Sequence, residues 1–124
     1  MPQKELPPCP QTPNCVSSQS RDSAHRVEPL RYESSGEDAW RHLRQVILSL
    51  PRSRVVEDAA GYMRVEFRSA VLQFGDDVEL LLDDANKAIQ IRSASRTGYW
   101  DIGVNRRRVE RIRSQFRNSL DAAK

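Results

Sequence analysis

Three stretches of strict two-residue alternation, joined by short connections, constrain this chain more than any other feature. Met63, Val65 and Phe67 alternate with Arg64, Glu66 and Arg68. Val78, Leu80 and Leu82 alternate with Glu79 and Asp83, and Ile89 and Ile91 with Gln90 and Arg92. Period two is the mark of a half-buried strand. Parallel neighbours need a long crossover, so short links impose an antiparallel meander. Asp84-Ala85-Asn86-Lys87 reads as a four-residue hairpin loop, which fixes a register. Leu82 then faces Ile89, Leu80 faces Ile91, and Val78 faces Ser93. The same register sets Glu79 opposite Arg92 on the outer sheet face, as an exposed pair worth roughly 0.2–1 kcal/mol. Val55 and Val56 begin a fourth strand, and Gly61 ends the turn that follows it.

Two stretches carry the helical period instead. Ala39, Trp40, Leu43, Val46, Ile47 and Leu50 fall on one face. Ser34 or Ser35 caps this run, Glu37 and Asp38 suit its positive end, and Pro51 stops it. A final helix starts near Asn105, read as its cap, and buries Val109, Ile112, Phe116 and Leu120. The predicted fold is α+β: an antiparallel meander of about four strands, two helices on one face, and an extended N-terminal arm.

The arm is set by proline. Five of the seven prolines (Pro2, Pro7, Pro8, Pro10 and Pro13) fall within the first thirteen residues. They favour extended geometry over a regular ladder. A serine-rich polar stretch follows, so residues 1–26 read as an arm packed on the body and 27–124 as a single α+β domain. With 124 residues, 38% hydrophobic, there is room for one modest core. No apolar run reaches the roughly eighteen residues of a membrane span, and no apolar leader follows Met1. The chain is therefore read as soluble, and cytoplasmic if Met1 is the native start.

Charge is unevenly placed. Residues 57–87 hold eight acidic side chains against three basic ones, whereas 92–117 hold eight arginines against Asp101 and Glu110. Arginine accounts for seventeen of the twenty basic residues, which favours fixed, fork-like pairing. The last helix lacks aromatic side chains interleaved to stack bases, so a nucleic-acid partner is not favoured.

Catalytic and metal signatures are missing. The sequence holds no nucleophile elbow, paired-histidine zinc motif, phosphate loop or dinucleotide glycine pattern, so no cofactor, metal or catalytic residue is assigned. Cys9 and Cys15 leave two main readings open, ahead of metal binding or catalysis. One is a disulfide, which needs Cα atoms within about 7 Å and an oxidising compartment. The other is a pair of inert thiols, kept reduced in a cytoplasm. His42 reads as a solvated side chain, and His25 as a group that bonds back toward the body.

The densest polar stretch runs from Arg92 to Arg106. Ser93 and Ser95 continue the inward register of Ile89 and Ile91, so their hydroxyls need partners, which Asp101, Asn105 or loop backbone can supply. Two glycines and a helix N-terminus make the loop from Arg96 to Asn105 suited to an anion. The candidate ligand-binding set is Arg68, Arg92, Ser95, Arg96, Asp101, Asn105, Arg108 and His25, with Asp101 orienting Arg96 or Arg108. The partner implied is an anionic or small polar ligand. The competing reading is a structural or protein-interaction domain whose arginines are already paired, and an enzyme of unknown class comes third.

The blocks Cys9-Pro10-Gln11-Thr12-Pro13-Asn14-Cys15-Val16-Ser17-Ser18-Gln19, Asp76-Asp77-Val78-Glu79, Arg92-Ser93-Ala94-Ser95-Arg96 and Asp101-Ile102-Gly103-Val104-Asn105-Arg106, with His25 and Pro29-Leu30 between them, carry a resemblance. Together they are similar to the family called domain of unknown function 1499, in order from Cys9 to about Leu120. Leu80 stands where an aromatic is more usual, and Trp100 where a small polar residue is. The resemblance implies that the arm belongs to the domain, and it implies no activity; as an alternative to the cytoplasm it implies an exported or membrane-associated location. Trp100, as the larger side chain, would narrow a site formed by its loop.

Overall fold

The computed structural model describes residues 5–68, 75–96 and 103–124. In chain order these form β1 (Cys15–Ser17), β2 (Leu30–Arg31), α1 (Gly36–Ser49), β3 (Ser53–Ala59), β4 (Tyr62–Arg68), β5 (Gly75–Asp83), β6 (Ala88–Ser95) and α2 (Val104–Ala122). All strand pairs are antiparallel, in the order β1-β6-β5-β4-β3, and β2 joins β6 beside β1. The class is α+β, as the alternation requires, with six strands rather than four. The two additional strands are three and two residues long. Neither is long enough to display a period.

The hairpin register is the one the loop length imposes. Leu82 pairs with Ile89, Leu80 with Ile91, Val78 with Ser93 and Glu79 with Arg92. A single 3₁₀ turn, Asp84–Asn86, and Lys87 at φ 51° complete the four-residue connection. At one sheet edge, β3 carries an irregularity between Val55 and Glu57 that breaks the pairing, as edge strands commonly do. The opposite edge of β6 is covered by β1 and β2.

Both helices lie on one sheet face. Ala39, Leu43 and Ile47 of α1 and Val109, Ile112 and Phe116 of α2 share a core with Met63, Val65, Val78, Leu80, Ile89 and Ile91. The Ser35 hydroxyl caps α1 by accepting from the Asp38 N–H. His42 is not a solvated side chain. Its Nδ1 lies 2.7 Å from the Ser119 hydroxyl, which ties α1 to α2, and its side chain is 12% exposed.

The outer face is not open either. Leu6 packs with Tyr62 and Leu81 in a second small cluster, and the Pro8 carbonyl accepts from Arg92 (3.3 Å). Glu79, read as part of an exposed pair, is therefore buried at 7% exposure. Its carboxylate accepts from the Tyr62 hydroxyl (3.0 Å) and lies 3.7 Å from Arg92. The alternation placed the pair on the correct face but could not show that residues 5–8 cross it.

Cys9 and Cys15 form a disulfide with Cα atoms 5.7 Å apart. The core assignment makes a direct prediction. Ile112→Ala should destabilise by about 2–5 kcal/mol, whereas Leu48→Ala, at a position 67% exposed, should stay within about 0.5 kcal/mol. Urea unfolding of the two variants checks it, and equal costs would contradict the placement of the core.

Candidate functional site

The site begins with a buried amide. Gly103, at φ 76°, leads the chain into α2, and no side chain caps that helix. Asn105, read from the sequence as the cap, instead sits inside the first turn with its side chain fully buried. Its Oδ1 accepts from the Ser93 hydroxyl (2.6 Å) and from an Arg108 N–H (3.1 Å). Its Nδ2 donates to the Asn14 carbonyl (3.2 Å) and to the Ser95 hydroxyl (3.0 Å). Two lone pairs and two N–H groups are all a carboxamide has, and all are used. The inward serine register predicted by the alternation thus meets its partner in Asn105.

Arg108 stands over this node. It is ion-paired with Asp76 (2.7 Å), and its guanidinium lies 5.0 Å from the centroid of the Phe67 ring. Arg96 lies on the other face of the sheet. Its Nε and Nη2 donate to the two carboxylate oxygens of Asp77 (2.8 Å each), and Nη2 also donates to Glu66. These bonds hold the carboxyls of Asp77 and Glu66 below the ordinary carboxylate range and raise the guanidinium of Arg96. The Nε of Arg92 is buried without a hydrogen-bond partner among the described residues.

The predicted set therefore divides. Ser95, Asn105 and Arg108 come together on the helix side, while Arg92 and Arg96 project from the outer face. Arg68 lies exposed at the end of β4. Asp101 lies outside the described residues. The carboxylates seen to orient Arg96 and Arg108 are Asp77, Glu66 and Asp76.

His25 serves the segment that leads to β2. Its Nδ1 lies 2.9 Å from the Asp22 carboxylate and its Nε2 lies 2.8 Å from the Thr12 carbonyl. Both neighbours are acceptors, so only the doubly protonated ring satisfies both. The Thr12 carbonyl first, then Asp22, raise the histidine, and nearby Arg106 opposes them.

A pocket of about 210 Å³ opens beside the start of α2, lined by Arg52, Arg68, Arg107, Arg108 and Arg111 around Phe67. No acidic residue is among its described lining residues. Arg52 and Arg111 make no ion pair among the described residues. Arg52 is held at φ 59°, and its carbonyl accepts from the Arg68 N–H (3.1 Å). The sequence names Arg68 and Arg108 as candidates but not Arg52, because a left-handed backbone at a non-glycine residue leaves no trace in composition. Arg111, on α2, lines the same pocket.

The family model described as a protein of unknown function, DUF1499, matches residues 5–116. No curated protein and no solved structure matches the chain.

Two predictions follow from this geometry. Asn105→Ala strands a buried hydroxyl and a carbonyl, each worth about 1–3 kcal/mol. Urea unfolding should show a loss of that order or more, and a loss under about 0.5 kcal/mol would remove the node from the account. For His25, a raised value means that its contribution is fully present below the ordinary value of 6.5 and is lost as pH rises through the elevated one. The melting temperature should accordingly fall as pH is raised through the neutral range. His25→Gln should flatten that slope, and an unchanged slope in the variant would contradict the assignment.

Proposed function

The chain belongs to the DUF1499 family, and from the site itself we propose that it is a small anion-binding protein whose site is the arginine-lined pocket at the start of α2. The observation that carries this reading is the concentration of arginine at the pocket: five line it without a carboxylate among its described lining residues, and Arg52 and Arg111 make no ion pair among the described residues. Guanidinium groups present paired N–H donors that match the oxygens of phosphate and carboxylate groups. The first turn of α2 adds the positive end of its dipole.

Size narrows the ligand. About 210 Å³ is below the roughly 300–1,000 Å³ of pockets for drug-sized molecules. It suits a single phosphate or carboxylate group. The outer-face arginines support the opposite role for their own region. Arg96, committed to two carboxylates, works there as a lock for β4, β5 and β6. Disulfides persist chiefly in oxidising compartments, so the Cys9–Cys15 bond favours an exported location over a cytoplasmic one.

Arg52 separates a binding role from a structural one. A non-glycine residue at φ 59° is strained, so Arg52→Gly should leave the melting temperature unchanged or raise it. The same change removes a charged donor group worth about 1.5–3 kcal/mol, so phosphate affinity should fall tenfold or more. Calorimetric titration with phosphate, at ionic strength matched by sodium chloride, gives both readings with a thermal scan. Equal affinity in the variant, or no phosphate binding by the wild type, would overturn the proposal.

A further inference from the structure

The opposite flank of α2 carries a second basic feature. A cleft of about 920 Å³ runs between α2 and the segment that enters β2, lined by Arg106, Arg113 and Arg117 on the helix and by Arg26 and Arg31 across from them. The helix arginines are anchored, but chiefly by neutral groups. Arg106 donates to the carbonyls of Arg26 (3.0 Å) and Ala24 (3.1 Å). Arg113 donates to those of Pro29 (2.7 Å) and Glu28 (2.6 Å), and Arg117 to that of Arg31 (3.0 Å). A carbonyl fixes a guanidinium in place without cancelling its charge. Only Arg113 among the three has a carboxylate partner among the described residues, Glu110 at 3.0 Å.

We infer that this cleft binds an extended acidic peptide segment of a partner polypeptide. Spacing carries the argument. At about 1.5 Å per residue, Arg106 and Arg113 lie about 10 Å apart along the helix, and Arg113 and Arg117 about 6 Å. One compact anion cannot span such a row. An extended chain advances about 3.1–3.4 Å per residue, so carboxylates two or three residues apart match both intervals. The apolar residues of the lining, Val27, Pro29 and Phe116, are themselves buried, so the spacing of charge carries the recognition. A polyphosphate, charged at every unit, would meet Glu28 and Glu110 as well as the arginines. Phe116 is 1% exposed and offers no face for base stacking, which disfavours single-stranded nucleic acid. The concave shape disfavours a flat lipid surface. Two acidic residues, Glu28 and Glu110, share the lining with the five arginines, so the charge balance stays positive and the glutamates help set the register of a bound segment.

Selection of a random dodecapeptide phage library on the intact, disulfide-bonded protein tests the inference. Recovered sequences should carry Asp or Glu at two- or three-residue spacing. The strongest of them, synthesised and titrated by fluorescence anisotropy, should bind saturably and weaken as salt is raised. Arg26 and Arg31 are exposed, and neither side chain holds a hydrogen bond among the described residues. The double variant Arg26→Glu/Arg31→Glu should therefore retain the wild-type melting temperature and bind roughly tenfold more weakly or worse. Arg111→Gln, in the separate anion pocket, should leave peptide affinity unchanged, so failure of one reading is distinguishable from failure of the other. Neutral or basic winners, no enrichment, equal binding by the double variant, or equally tight displacement by inorganic polyphosphate would each overturn the inference.

Discussion

Four hydrogen bonds to the side chain of Asn105 tie the start of α2 to β6 and to the N-terminal arm. The Asn14 carbonyl comes from the disulfide-closed loop, the Ser93 and Ser95 hydroxyls from β6, and the Arg108 guanidinium from α2. A buried carboxamide left partly unsatisfied is costly, and one fully satisfied is specific, because only a carboxamide offers these two donors and two acceptors and glutamine would place them one methylene farther out. The direction in which α2 leaves the sheet is fixed at this point. Both basic features, one on each flank of the helix, inherit their positions from it.

The disposition of arginine divides the molecule by what each guanidinium meets. On the outer sheet face, Arg54, Arg64, Arg92 and Arg96 meet carboxylates of Glu57, Glu66, Asp77 and Glu79. Charge is largely neutralised there and strand register is reinforced. On the flanks of α2, Arg106 and Arg117 meet backbone carbonyls. Carbonyl partners confer position and leave the positive charge in place. A net charge of +3 thus understates how basic the α2 side is.

Much of this was legible in the sequence, for identifiable reasons. Val78, Leu80, Leu82, Ile89, Ile91 and Ser93 advertise their faces by strict alternation, and one hairpin loop length converts those faces into a register. Helix α1 was equally plain, since Ser35 and Pro51 bracket an apolar stripe. The strands Cys15–Ser17 and Leu30–Arg31 were not visible, because strands this short show no period and take their geometry from β6. The burial of Glu79 was hidden for a related reason: prolines show that the first residues are extended but not which face they cross. Asn105 was read as a cap because asparagine is common there. The inward serines did name Asn105 among their possible partners, but the bond to the Asn14 carbonyl, which completes the node, comes from a segment 91 residues away and is a tertiary fact. Arg52 was lost for want of any sequence signal for its backbone.

The central claim is that the disulfide loop and Asn105 act as one unit. A double-mutant cycle between Cys9→Ala/Cys15→Ala and Asn105→Ala, read by urea unfolding, tests it most directly. If the loop holds the Asn14 carbonyl in place for the Asn105 amide, removing both should cost less than the sum of the separate losses, by about 0.5–3 kcal/mol. Costs that add within about 0.3–0.5 kcal/mol would show that the two features stabilise the protein independently, and would contradict the account.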